Sequence, residues 1–105
     1  MFTAYYSHPE CRLHDMGPGH PECPERLDAI HDQLVASGVM PVLAVHEAPL
    51  ADPVQLARAH DARYVAEMQA VLLESREAGR PRAIDPDTFA CPATHAAALR
   101  AAGAA

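Results

Sequence analysis

The spacing of apolar and polar residues changes several times along this chain, and each change predicts an element. Phe2, Thr3, Tyr5 and Tyr6 make an aromatic and hydroxyl-rich run that ends at His8 and Pro9, which predicts a short strand over residues 2–7. Leu27, Ile30, Leu34 and Val35 recur at the i, i+3, i+7, i+8 spacing of one helical face. Pro24 suits the first helical position and Gly38 the residue just past the end, so a helix is predicted from Pro24 that Gly38 closes, with that stripe buried. Residues 40–45 lack polar alternation, the pattern of a strand covered on both faces. Strand, helix, strand is the order of a βαβ unit, and the right-handed crossover rule places the helix on one face of a parallel sheet.

Asp52 followed by Pro53 predicts a capped start for a short helix through Leu56 and Ala59. Asp61 is the expected cap of the next helix, whose stripe is Tyr64, Val65, Met68, Val71 and Leu72 and which ends at Gly79. Residues 80–91, with Pro81, Pro86 and two aspartates, read as a loop. A last helix is expected from Pro92 through Ala96, Ala97, Ala98 and Leu99 to Ala105. It is apolar all round, and such a helix requires burial on most sides. The pattern therefore predicts that residues 1–105 are part of one larger domain, whose remainder is needed for stability.

Composition sharpens this picture. Half of the residues are apolar, but few are aromatic and none is Trp, so the apolar share is largely Ala and the expected core is thin. A net charge of -6 and scattered arginines argue against nucleic acid, which requires clustered cations. All eight basic residues are Arg, which excludes a phosphate-loop Lys, a Schiff-base Lys and a Ser-Lys dyad within this chain. The first residues carry no basic leader and no apolar run long enough for a membrane segment, so a cytoplasmic protein with no membrane partner is expected. Three cysteines without an export signal are read as reduced thiols.

The densest chemistry lies in residues 14–27, where three prolines, two glycines, two histidines and a cysteine form a stiff loop feeding the first long helix. His8, Cys11, His14, His20 and Cys23 offer zinc-ligand types. They crowd into one stretch instead of forming two separated couples, so loop histidines with a buried thiol are the preferred reading, and a site built from Cys11, His14, His20 and Cys23 is the weaker alternative. Arg26 stands in the first helical turn, where the helix dipole disfavours a cation by a few tenths to about 1 kcal/mol. Spacing alone leaves two readings open, a surface pair with Glu22 or Asp15, or an Arg turned inward onto carbonyls or an anion. Asp61 next to His60 reads as a helix cap and not as half of a catalytic pair. Asp85 and Asp87 read as a plain turn, with too few oxygens for calcium.

Three blocks in order, Gly19-His20-Pro21-Glu22-Cys23-Pro24-Glu25-Arg26-Leu27, His60-Asp61-Ala62-Arg63-Tyr64-Val65 and Asp87-Thr88-Phe89-Ala90-Cys91-Pro92-Ala93-Thr94, closely resemble the histone deacetylase superfamily. The likeness covers the whole chain. It is to the N-terminal third of bacterial histone-deacetylase-like or acetylpolyamine amidohydrolase-like enzymes, nearer class II. The resemblance implies an α/β, arginase-like three-layer fold with a parallel sheet, of which two strands and about four helices are present here. It also implies zinc-dependent hydrolysis of an acetylated protein or polyamine, in which metal-activated water attacks the acetamide carbonyl. It assigns Arg26 to the foot of the substrate tunnel, His20, Pro21 and Glu22 to one rim of it, and Asp85, Asp87 and Phe89 to another. Class I relatives carry an aspartate where this chain has Ala90, which puts their backbone grip on a peptide in doubt. The family's zinc ligands and catalytic Tyr fall outside the matched blocks, so no catalytic residue and no bound zinc are expected in this chain alone. The competing expectations are a non-catalytic binding or interaction module and a small zinc-binding protein.

Overall fold

A computed structural model describes residues 2–105; Met1, with which the expected domain begins, lies outside the described residues. The predicted βαβ unit is present. Strand β1 (Thr3–Ser7) pairs in parallel with β2 (Leu43–Glu47), with Thr3 opposite Leu43 and Ser7 opposite Glu47. The Ala48 N–H extends the ladder to the Ser7 carbonyl at 2.9 Å. Helix α1 (Glu25–Ala36) makes the crossover and stops where Gly38, at φ 72°, donates to the Val35 carbonyl. A left-handed glycine closes a helix without the Cβ clash of other residues.

Two features of this unit differ from the sequence reading. Met40–Val42 is a turn of 3-10 helix, so the second strand begins at Leu43 and runs on to Glu47. Pro41 has a fixed φ and no N–H to give a ladder, and the Leu43 N–H returns to the Met40 carbonyl. The stripe on α1 is also open, with Leu27, Ile30 and Val35 exposed by 37, 45 and 54 % and no residue of the helix buried. On β2, Val45 is 57 % exposed, so among the described residues this strand is not covered on both faces. Periodicity shows which side of an element is apolar but not what lies against it.

The helices that follow start as their caps direct. Asp52 and Gln55 form a reciprocal capping box on α2 (Pro53–Ala57), each side chain accepting from the other's backbone N–H. Asp61 accepts from the Arg63 N–H at the start of α3 (Ala62–Ala78), which Gly79 closes at φ 63°. The predicted loop over residues 80–91 is instead mostly a hairpin, β3 (Arg82–Asp85) with β4 (Thr88–Ala90), antiparallel and irregular between Ala83 and Asp85. These strands are too short for alternation to be visible, and the turn is closed locally by the Asp85 carboxylate accepting from the Asp87 N–H at 2.8 Å. Helix α4 (Thr94–Ala104) begins two residues after Pro92.

The core is as thin as the composition implies. Among the described residues its buried apolar members are Pro24, Ala48, Ala51, Leu72, Ala90, Cys91 and Ala97, and the buried polar side chain is Ser75. Ser75 donates to the Arg80 carbonyl at 2.6 Å and lies 3.4 Å from that of Ala90, tying the end of α3 to the hairpin. Alanines allow backbones to approach closely, and the Ala51 N–H reaches the Leu99 carbonyl of α4 at 2.9 Å. A short 3-10 helix, Pro9–Leu13, packs along α4. Arg100 reaches across that contact to Glu10 at 2.7 Å and to the Ala48 carbonyl at 3.0 Å.

Candidate functional site

The stiff loop over residues 14–23 lies against the N-terminal end of α4 and the hairpin turn, and three side chains hold it there. Thr94 is the first. Its hydroxyl oxygen accepts from the Cys91 N–H at 2.8 Å and is 2.8 Å from His14 Nδ1, so one residue of α4 anchors both its own N-terminus and the start of the loop. Cys91 is the second, buried, with its thiol directed to the Leu13 carbonyl at 3.6 Å.

His20 is the third. Its Nδ1 accepts from the Glu22 N–H at 3.0 Å, which leaves Nε2 as the protonated nitrogen of the neutral ring. Nε2 then faces the Asp87 backbone carbonyl at 3.0 Å and an Asp87 carboxylate oxygen at 3.2 Å. The ring is 14 % exposed, whereas the Asp87 side chain is 92 % exposed. Residues 67 positions apart are thus joined by an imidazole with both nitrogens engaged.

Beside this clasp is a cavity of about 260 Å³, walled by Cys11, His14, Glu22, Cys23, Leu27 and Thr94 among others. Burial pushes the Cys11 thiol up from its ordinary range, with Arg100 opposing, so it is a poor thiolate. Asp85 is held below the usual carboxylate range by the Asp87 N–H first and the Thr88 hydroxyl second.

Arg26 faces Glu22, with one guanidinium nitrogen 2.8 Å from both carboxylate oxygens and both side chains half exposed. Pro21, Glu22, Asp85 and Asp87 are exposed along the two loops, and Phe89 is half-buried in β4. Ala90 is fully buried and presents no side chain to a substrate. Asp61 is spent as the α3 cap, and His60 packs on Tyr64 with ring centroids 5.4 Å apart.

The donors suggested for zinc do not converge. His14 engages Thr94, His20 engages Asp87, and the Cys11 thiol points to the Ala97 carbonyl at 3.8 Å. Among the described residues no group of three or more His, Cys, Asp or Glu is placed to hold a metal ion. The residues present therefore do not fit the zinc that the resemblance implies for the whole enzyme. Among them, too, no helix is long and apolar enough to cross a membrane.

The anchoring roles of Thr94, Ser75 and Arg100 escaped the sequence reading. A hydroxyl in an Ala-rich helix and an isolated Arg carry no local signal, because their partners are 80 and 90 residues away for Thr94 and Arg100. Ser75 had one faint mark, a polar residue three positions after Leu72 on the apolar side of α3.

The crystal structure of the HDA15 HD domain superposes with a TM-score of 0.82 at 26 % sequence identity, over 98 % of this chain. The chain spans 29 % of the length of that one. No curated protein matches it. A family model described as the histone deacetylase domain matches residues 20–105, from the clasp histidine to the last residue. The α/β architecture, with its parallel strand pair and four helices, is that of a deacetylase domain, and the chain belongs to the histone deacetylase domain family.

Proposed function

We propose that residues 1–105 are the N-terminal portion of a single zinc-dependent deacetylase domain that hydrolyses the acetamide of an acetylated lysine or polyamine in the cytoplasm. In this reading the loop bearing His20, Pro21 and Glu22 and the hairpin bearing Asp85, Asp87 and Phe89 border the substrate tunnel. The observation that carries the reading is the meeting of His20 with Asp87, which brings together two loops assigned to one mouth on sequence resemblance alone. Arg26 serves the inner channel for the released acid, and its hold on Glu22 keeps it beside the mouth loop. Ala90 leaves this side without a carboxylate to grip a peptide backbone, so specificity rests on other contacts.

Hydrolysis of an acetamide by this route needs a metal with an open position for water and a neighbouring proton carrier. Among the described residues no group is placed to hold such a metal, so in this reading the hydrolytic centre is completed by the remainder of the domain. The test is to incubate the chain with zinc and an acetyl-lysine peptide, and separately with an acetylated polyamine. The same assay is then run on this chain joined to the rest of a deacetylase domain. Turnover is expected only from the joined protein and is expected to vanish on chelation. Turnover by the 105 residues alone, above a denatured control, would place the catalytic centre wrongly.

A further inference from the structure

We propose that Thr94 is a positioning residue for substrate binding, which acts through His14 to fix the loop over residues 14–23 and does so separately from its work at the start of α4. The hydroxyl oxygen of Thr94 accepts from the Cys91 N–H at 2.8 Å and keeps one lone pair and one proton for other partners. His14 Nδ1 lies 2.8 Å away and the Cys91 sulfur 3.4 Å away. A neutral imidazole meets this hydroxyl in both tautomers, accepting its proton when Nδ1 is bare and donating to its lone pair when Nδ1 carries the hydrogen. In the second case the Thr94 proton turns to the Cys91 sulfur. The contact therefore does not depend on which ring nitrogen is protonated.

Little else secures this end of the loop. The Cys91 thiol reaches the Leu13 carbonyl at 3.6 Å, and a thiol is a weak donor. The Asp15 carboxylate is engaged locally by the Gly17 N–H at 2.8 Å. Among the described residues, the next side-chain hydrogen bond from the loop to a distant element is that of His20 to Asp87. Residues 15–19 thus hang between two pins. The glycines among them, Gly17 at φ 108° and Gly19 at φ 77°, have nothing within 4 Å of where a Cβ would be. His14 and Thr94 also wall the cavity of about 260 Å³ together with Glu22 and Cys23 from the far end of the loop. Releasing His14 shifts both the loop and the cavity behind it.

That this loop borders a substrate opening rests on the functional reading above, whereas the pin rests on its own geometry. In the full chain, NMR relaxation gives the backbone order parameters of Met16, Gly17 and Gly19, and the Cys91 amide resonance reports the start of α4. His14→Leu and Thr94→Val are both expected to move the order parameters toward the flexible range below about 0.6. Thr94→Ser is expected to keep them, and the double variant to lower them no further than either single change. The Cys91 amide is expected to move in Thr94→Val and to stay in place in His14→Leu. In this chain joined to the rest of a deacetylase domain, both substitutions are expected to raise KM about 2- to 10-fold with kcat unchanged, the scale of one neutral hydrogen bond that serves binding and not chemistry. A loop that loosens in Thr94→Val but not in His14→Leu would overturn the inference, because Thr94 would then act only through α4. Order unchanged in both variants would overturn it as well, as would a Thr94→Ser loop as loose as that of Thr94→Val. Should Thr94→Val not fold, His14→Leu against the unchanged chain decides. An active joined protein whose KM is unaltered in His14→Leu removes the role in substrate binding, whereas a joined protein without turnover sinks the functional reading and leaves the pin to the order parameters.

Discussion

Gly103 of α4 runs against the Pro49 carbonyl so closely that a Cβ on Gly103 would overlap it. The Ala51 N–H to Leu99 carbonyl bond lies beside this crossing, so the segment after β2 is drawn onto the helix backbone to backbone. A glycine inside a helix ordinarily costs about 1 kcal/mol relative to alanine, and here the close approach gives the reason for it. Gly103→Ala is therefore expected to destabilise the chain by about 1–3 kcal/mol, the usual cost of overpacking, despite alanine's better helix propensity. Chemical denaturation read by circular dichroism checks this, and a stabilised Gly103→Ala protein would contradict the crossing.

Ser75→Ala removes the buried hydroxyl that donates to the part-buried Arg80 carbonyl. Losing such a hydrogen bond costs about 0.5–1.5 kcal/mol. The loss is expected as a lower denaturation midpoint, together with faster amide exchange in the hairpin that Ser75 ties to α3.

Acid is expected to weaken the contact between the 3-10 helix and α4. The Glu10 carboxyl is held below its ordinary value of 4.5, first by its hydrogen bond from Arg100. A group whose pKa is depressed by folding contributes stability above its unfolded value, and that contribution is lost as pH falls through the folded one. Stability should thus decline on acidification below about pH 4.5, and Glu10→Gln should flatten that decline. Asp85, lowered by its turn hydrogen bonds, acts in the same direction, so Glu10→Gln is expected to remove only part of the slope. An unchanged slope in Glu10→Gln would show that the Arg100 contact is not formed in solution.

Arg26→Ala separates fold from function. An exposed pair such as Arg26 with Glu22 contributes about 0.2–1 kcal/mol, so the midpoint should barely move. In a protein carrying the complete domain, the same substitution is expected to reduce turnover well beyond that effect on folding. Arg26→Lys should recover little, because a compact ammonium does not replace a planar fork. Full turnover in Arg26→Ala would remove the channel assignment and leave a surface ion pair.

Local interactions were legible in the sequence because their physics spans only a few residues. Asp52, Asp61, Gly38 and Gly79 marked helix ends by chemistry that acts within one turn, and the aromatic run of residues 2–7 marked β1. The family resemblance lay in short contiguous blocks, so it too was readable. Only the tertiary structure decided that His20 meets Asp87, that Thr94 holds His14, that Arg100 spans to Glu10 and that the stripe on α1 stays open. Those contacts join residues tens of positions apart, and neither periodicity nor spacing encodes which distant backbone a side chain will face. The β3–β4 hairpin lay between the two cases, formed by strands of four and three residues that owe their order to Asp85 and Ser75 more than to any pattern of their own.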